Sequence, residues 1–287
     1  MSPFIRVAGP LAFAEGPVWD GTFVLFTDMH SATIHRYFPD DGRVSLLHSD
    51  TGRANGLAVD DQGRLLACED SGRRVVRYEP NNTRTVLADS FGGRRLNSPN
   101  DIVVTRSGAV WFTDPRYGET RADLELDHES VYELRGGPDE YTVHRRTFDT
   151  SRPNGLAFSP DERTLYVAES PRSPDGTRQL RAYPLRDGAL GSPQVLHEFG
   201  PHRGVDGMCV LADGTIVAAC GWARSGPGGR VMILDPTGCV VEQIPTPGDP
   251  TNVCLGGADL RDLYLTSFDG GLWRLRHFLP APQWCAG

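Results

Sequence analysis

Lysine is absent from this 287-residue chain; all 29 of its basic residues are arginine. A lysine Schiff base and a lysine clamp on phosphate are therefore excluded. The formal net charge is −8, with no basic run, so no nucleic-acid partner is expected. No apolar stretch approaches the roughly 20 residues that span a bilayer, so no membrane partner is expected either. Met1-Ser-Pro-Phe-Ile-Arg6 lacks the charged and apolar blocks of a secretory signal, which predicts a cytoplasmic protein. The six cysteines (Cys68, Cys209, Cys220, Cys239, Cys254 and Cys285) form no CxxC pair, and four sit inside strand-like patterns. They read as buried free thiols of a reducing compartment. There is no GxSxG elbow, and the eight histidines show neither HxH nor HExxH spacing, which argues against a zinc site built on imidazole. Sustained 3.6-residue periodicity is missing as well, so stacked helix pairs are not expected.

A repeat is present in its place. Asn154-Gly-Leu-Ala-Phe-Ser-Pro-Asp-Glu162 begins with a polar head, continues as an apolar strand and turns at residues favoured in β-turns. A second apolar strand then ends on Glu169. The same order recurs from Glu15, Asn55, Asn100, Asp206 and Asn252, with heads 40 to 54 residues apart. Self-similarity at this period marks an array of one supersecondary unit. Two further strand-like pieces follow in each unit, as in 32–38 and 43–48. Four strands in each of six units predict an all-β, six-bladed β-propeller forming a single domain over 1–287. Residues 3–8 form a lone strand near the N-terminus. Pairing it with the last unit, 252–279, would close the ring and protect its edges.

Two segments interrupt the pattern. Residues 117–130 form a long insertion after Asp114, expected to border a substrate pocket as a lid. Gly221-Trp-Ala-Arg-Ser-Gly-Pro-Gly-Gly229 is glycine-rich, but no lysine follows and no helix opens. It matches neither a P-loop nor a dinucleotide fingerprint, and reads as a turn.

In a propeller the first strand of each blade lines the central channel, so the six heads converge at one mouth. Two are carboxylates, Glu15 and Asp206, and four are carboxamides. Oxygen donors of this mix suit a hard divalent cation. Asn55 and Asn252 are expected to cap turns through side-chain hydrogen bonds instead. Glu15 is a poor turn former, and buried it needs a partner that a cation would supply. The second-strand ends Asp28, Asp70, Asp114 and Glu169 flank the same mouth. Asp28 and Asp70 read as structural, and Asp114 as more open.

Together, Glu15-Gly-Pro-Val-Trp19, Asn97-Ser-Pro-Asn-Asp101, Trp111-Phe-Thr-Asp-Pro115, Tyr117-Gly118, Asn154–Glu162 and Asp206-Gly-Met208 resemble the family of gluconolactonase, senescence marker protein and luciferin-regenerating enzyme. The resemblance spans nearly the whole chain. It implies one catalytic divalent metal at the channel mouth, bound by Glu15, Asn154 and Asp206, with Asn100 beside it touching metal or substrate. Calcium is the expected ion, with magnesium, manganese or zinc as alternatives. Animal members carry an arginine two residues before the asparagine matching Asn100, where it contacts the sugar. Here that position is Ser98, and Arg94, Arg95, Arg116 and Arg203 are the candidates to replace it.

The expected activity is opening of a small lactone by metal-activated water. Asp206 is the expected base, and Asn100 and Asn154 orient the carbonyl oxygen. Asp114 and Glu169 are the next candidates for the base. Asn100, Tyr117, Arg116 and Arg203 are expected to touch the substrate. The alternatives are a phosphotriesterase-like or other small-ester hydrolase, a non-hydrolytic enzyme on the same scaffold, or a small-molecule-binding propeller with a structural metal. The expected partner is a small molecule, and the expected state is a monomer or small homo-oligomer.

Overall fold

The computed structural model describes residues 2–279 apart from 119, 138–139, 172 and 174–175. Each unit of the repeat folds as an antiparallel meander, of four strands in blades 1, 2, 3 and 5, of four with the short extra strand Ala189–Leu190 in blade 4, and of three of its own in blade 6. Blade 1 runs Ala14–Trp19, Val24–Asp28, Thr33–Tyr37 and Val44–His48 from the axis outward. The inner strands of blades 2 to 6 are Ala54–Val59, Ile102–Val104, Pro153–Phe158, Val205–Val210 and Pro250–Gly256. In blade 6 the outermost strand is Ile5–Ala8, which pairs antiparallel with Leu272–Leu275. The first strand of the chain thus completes the last blade. Across this seam Thr251 Oγ1 donates to the carbonyl of Ala14 at 2.8 Å. The array is the expected six-bladed β-propeller.

Burial follows position in the blade. The second strands Val24–Asp28, Leu65–Glu69 and Val110–Asp114 are buried at every residue. They lie mid-sheet with a neighbouring blade on either face, which is why they read as unbroken apolar runs rather than alternating ones. The outer strand Val240–Pro245 is mostly exposed. The core is a set of wedges, one between each pair of adjacent blades. Phe112, Tyr132 and Leu66 fill the wedge between blades 2 and 3, and Val24, Phe26 and Tyr264 fill the one between blades 6 and 1. Ring closure therefore buries apolar surface at the seam as at every other joint.

Register corrects one sequence expectation. Ala54 pairs with Glu69 as Ala14 pairs with Asp28, so Glu69, not Asp70, is the second-strand end of blade 2. Cysteines differ as well. Cys68, Cys220 and Cys254 are buried, Cys209 is half-buried and Cys239 is exposed, while Cys285 lies outside the described residues. No helix among the described residues is long and apolar enough to cross a membrane.

Candidate active site

Each inner strand except the short one of blade 3 has a register shift at its head, as between Glu15 and Val18 and between Pro153 and Leu156. A bulge there turns the head side chain towards the channel mouth. The residue after the head then faces the next blade. A Cβ on Gly16 would lie 2.1 Å from the carbonyl oxygen of Asn55, and one on Gly155 would lie 2.3 Å from that of Asp206. Only glycine permits this approach, and it draws successive heads together. Between blades 2 and 3 the contact is a hydrogen bond from the Gly56 amide to the Asn100 carbonyl, 2.8 Å.

Five heads, Glu15, Asn55, Asn100, Asn154 and Asp206, line one cavity of about 460 Å³. The sixth, Asn252, lines a separate channel of about 310 Å³ together with Asp101. Within the cavity Asn154 Nδ2 donates to Asp206 Oδ1 at 2.5 Å. Arg203 Nη2 pairs with Asp206 Oδ2. The same guanidinium donates to the carbonyls of Gly221 and Pro250 at 2.7 and 2.9 Å and lies over Phe268. The carboxamides of Asn55 and Asn100 make no hydrogen bond among the described residues. Asn55 is therefore not the turn cap expected from the sequence, whereas Asn252 Oδ1 does accept from the Val253 amide, 2.8 Å.

Negative charge is under-compensated here. Burial, and then the Asp206 charge, push Glu15 well above the usual carboxylate range; the Gly16 amide opposes this, as does Arg203. Beneath the heads lies Asp101, which the sequence reading missed. Burial pushes its carboxyl up to about 7, against hydrogen bonds from the amides of Ile102 and Leu156. Asp101 occupies the slot that is glycine after four of the other heads. That break in the repeat was the available signal. No group of three His, Cys, Asp or Glu side chains converges as a metal cluster among the described residues. The donor set at the mouth is instead two carboxylates with three carboxamides. A buried Glu15 raised by its own burial and by Asp206, beside the Asn55 and Asn100 carboxamides that make no hydrogen bond among the described residues, fits a hard divalent cation.

The remaining expected residues divide. Tyr117 lines the cavity, with its hydroxyl donating to the Ser170 carbonyl at 3.3 Å. Arg116 does not line it. Its guanidinium is buried, donating to the Asn97 carbonyl at 2.8 Å and to Asp123 at 3.0 Å. Arg94 and Arg95 are also away from the cavity, at the Glu125 carbonyl and side chain. Of residues 117–130 only Tyr117 borders the cavity among those described. Asp123 is tied to Arg73 and Arg116, and Leu126 is buried between blades 2 and 3. Glu119 in this segment lies outside the described residues.

Asp114 and Glu169 do not reach the cavity either. Asp114 accepts from the amides of Asn97 and Ser98 at 2.8 and 2.7 Å. Glu169 accepts from the amides of Ser151 and Arg152 and from the Ser151 hydroxyl. Asp70, expected to be structural, lines the cavity instead. Ser98, at the position of the arginine in animal members, donates to Asp70 Oδ1 at 2.7 Å. The glycine-rich turn supplies the wall that the insertion does not. Its strands Ile216–Trp222 and Ser225–Leu234 reach past the blade, placing Trp222 and Arg224 on the cavity.

Residues 13–269 match the SMP-30/gluconolactonase/LRE-like region. A gluconolactonase of Zymomonas mobilis is 32% identical, the alignment covering 93% of this chain and 79% of that protein. A 6-deoxy-6-sulfogluconolactonase of Pseudomonas putida is also 32% identical, over 91% of this chain and 85% of that one. The solved structure of a gluconolactonase from Xanthomonas campestris superposes with a TM-score of 0.83 at 34% identity, covering 94% of this chain and 88% of that one.

Proposed function

The chain belongs to the SMP-30/gluconolactonase/LRE-like family, and from that membership we propose that it hydrolyses small lactones at the mouth lined by Glu15, Asn100, Asn154 and Asp206. The observation that carries this reading is the convergence of those four heads, from four different blades, on one cavity. Glu15, Asn154 and Asp206 would hold a divalent ion, with Asn100 adjacent. Calcium suits a site made only of oxygen donors. When bound, the ion polarises the lactone carbonyl and lowers the pKa of a water.

The chain's own residues do the rest. The water oxygen adds to the carbonyl carbon while a carboxylate oxygen of Asp206 takes its proton. Arg203, anchored on two backbone carbonyls, holds Asp206 in place. Asn100 and Asn154 orient the carbonyl oxygen. The ring carbon–oxygen bond then breaks, and the departing alkoxide recovers a proton to give the open hydroxy acid. Phe13, Trp222 and Phe268 shield one side of the cavity.

The test is a panel of lactones followed by proton release, on protein stripped with a chelator and refilled with calcium, magnesium, manganese or zinc. Hydrolysis that disappears on stripping and returns on refilling is expected. Turnover that survives complete stripping would sink the metal reading. Failure of every lactone with the metal site filled would sink the reaction itself.

A further inference from the structure

The cavity wall is electrically lopsided. Arg178, Arg203 and Arg224 lie on the side built by blades 4 and 5 together with Asp206 and Asp249, whereas Glu15 and Asp70 come from blades 1 and 2 with no arginine beside them on the lining. Arg203 is already committed to Asp206. Arg178 is buried and donates only to backbone carbonyls, those of Ser173, Gly176 and Gly200. Arg224 sits at the tip of the hairpin between Trp222 and Ser225, its guanidinium 5.6 Å from the Trp222 ring centroid. It makes no hydrogen bond among the described residues. No described carboxylate lies within ion-pair distance of Arg178 or Arg224. The hairpin itself is held firmly. Trp222 Nε1 donates to Ser225 Oγ at 2.9 Å, and the Ala223 amide donates to Asp249 Oδ1 at 2.6 Å.

Two arginines lining one cavity with no carboxylate in ion-pair distance among the described residues form a recognition element. The cavity is lined by four carboxylates and three guanidinium groups. With a divalent ion at the heads and all four carboxylates ionised, the described lining carries a net charge of one positive. A neutral lactone gains nothing from that arrangement. We propose that the preferred substrate is an acid-bearing lactone, whose carboxylate, phosphate or sulfonate, distal to the reacting carbonyl, docks against Arg224 and Arg178 while the carbonyl sits at the heads. The proposal rests on the lactone-hydrolase reading above and names its substrate class. Arg224 is the specificity residue, because it is exposed on the hairpin and its guanidinium is uncommitted. Arg178 sets the positive background from beneath.

The test compares a neutral aldonolactone with its analogues carrying a terminal carboxylate, phosphate or sulfonate, on calcium-loaded wild type and Arg224→Gln. The wild type is expected to favour at least one acid-bearing lactone in kcat/KM. The variant should lower the ratio of that kcat/KM to the neutral one by about tenfold, mainly through KM, the size of one charge-assisted contact. Which of the three analogues loses most identifies the acid. An unchanged ratio, or a wild type that favours the neutral lactone over all three, overturns the proposal. Calorimetry with the open-chain diacid and the plain aldonate separates this from the reaction assigned above. Arg224-dependent diacid binding without hydrolysis of any lactone keeps the acid site and rejects the reaction. Lactone hydrolysis with no Arg224 dependence in either measurement keeps the reaction and rejects the acid site.

Discussion

Two rings of polar residues circle the same mouth, one amide plane apart, and they behave oppositely. The second-strand ends Asp28, Glu69, Asp114 and Glu169 are buried and saturated. Asp28 takes the amides of Ala12 and Phe13 at 3.0 Å each, and Glu69 takes Arg74 and Arg84 at 2.6 and 2.9 Å. Each fastens a loop or outer strand to its blade. The first-strand heads sit one ladder position away, yet Asn55 and Asn100 keep free carboxamides and Glu15 is pushed away from ionisation by its surroundings. The register shift at every head but Asn100 makes the difference. It frees the side chain from the ladder and aims it at the axis, where Glu15 meets a single backbone donor, the Gly16 amide at 2.8 Å. Carboxylates with donors supplied by their own chain build blades. At the heads Glu15 has only the Gly16 amide, Asp206 is met by Arg203 and Asn154, and burial still holds Glu15 above the usual carboxylate range.

The sharpest break of this comparison is at Asp206. With calcium in excess, Asp206→Asn should lose about 10²- to 10⁴-fold in turnover, the usual worth of a general base. Asn154→Ala should recover much of its rate as calcium is raised. Equal recovery by both, in initial rates of proton release, would make Asp206 a ligand only. In the other ring, Glu169→Ala orphans two backbone amides and should cost roughly 2–4 kcal/mol of stability. Turnover per folded molecule should stay near wild type. Loss of turnover without loss of stability in urea melts would place Glu169 with the heads.

A third measurement uses pH. Burial pushes Asp114 from its ordinary 3.8 up to about 7, against the amides of Asn97 and Ser98 and the charge of Arg73. The folded protein therefore holds this proton more tightly than the unfolded chain. Its contribution to stability is full below pH 4 and is lost as pH rises through 7, at no more than about 1.4 kcal/mol per unit. Asp114→Asn should remove that slope, whatever constant offset it adds. Parallel curves for variant and wild type between pH 4.5 and 7.5 would show the group ionised throughout. Asp28 acts in the opposite sense. Burial raises it, but the amides of Ala12, Phe13 and Ser31 and the Ser31 hydroxyl outweigh this and lower it, so its contribution disappears as pH falls below 3.8. The smallest effect is expected at Asn55. Its carboxamide has no hydrogen bond to lose, so Asn55→Ala should stay within about 0.5 kcal/mol of wild-type stability. Any change should appear in KM, and a clear drop in melting temperature would restore the turn-cap reading.

Much of this was legible because the units repeat. Six copies of head, strand, turn and strand are enough to count blades, and the position of Ile5 to Ala8 at the start of the chain points to closure. The heads stood out because Glu15 and Asp206 replace asparagine in a slot otherwise kept constant. Asp101 was legible in principle by the same comparison one residue later. Less legible was which interruption of the repeat reaches the cavity. The insertion 117–130 is long and follows a strand end at the right face. Yet Arg73, Arg116 and Arg95 hold Asp123 and Glu125 outward over the joint between blades 2 and 3. The hairpin tip at Ala223-Arg224 is short and glycine-flanked, and reads as a mere turn. It reaches the cavity because its strands, up to Trp222 and from Ser225, overrun the blade. Arg116 failed as a substrate residue for the same reason. Its charge was spent on a neighbour 7 residues along that spacing alone does not reveal.

Local pattern by itself determined the strands, the turns, the number of blades and the chemical type of the heads, because each depends on residues adjacent in the chain or repeated at a fixed interval. Only the closed ring decided which heads share a cavity, that Asn252 lines a separate channel, that Asp114 and Glu169 are sealed off and that Arg224 has no ion-pair partner among the described residues. Those outcomes depend on distances between blades. They are set by how closely a glycine of one inner strand can approach the backbone of the next, and by which arginine reaches a given carboxylate first.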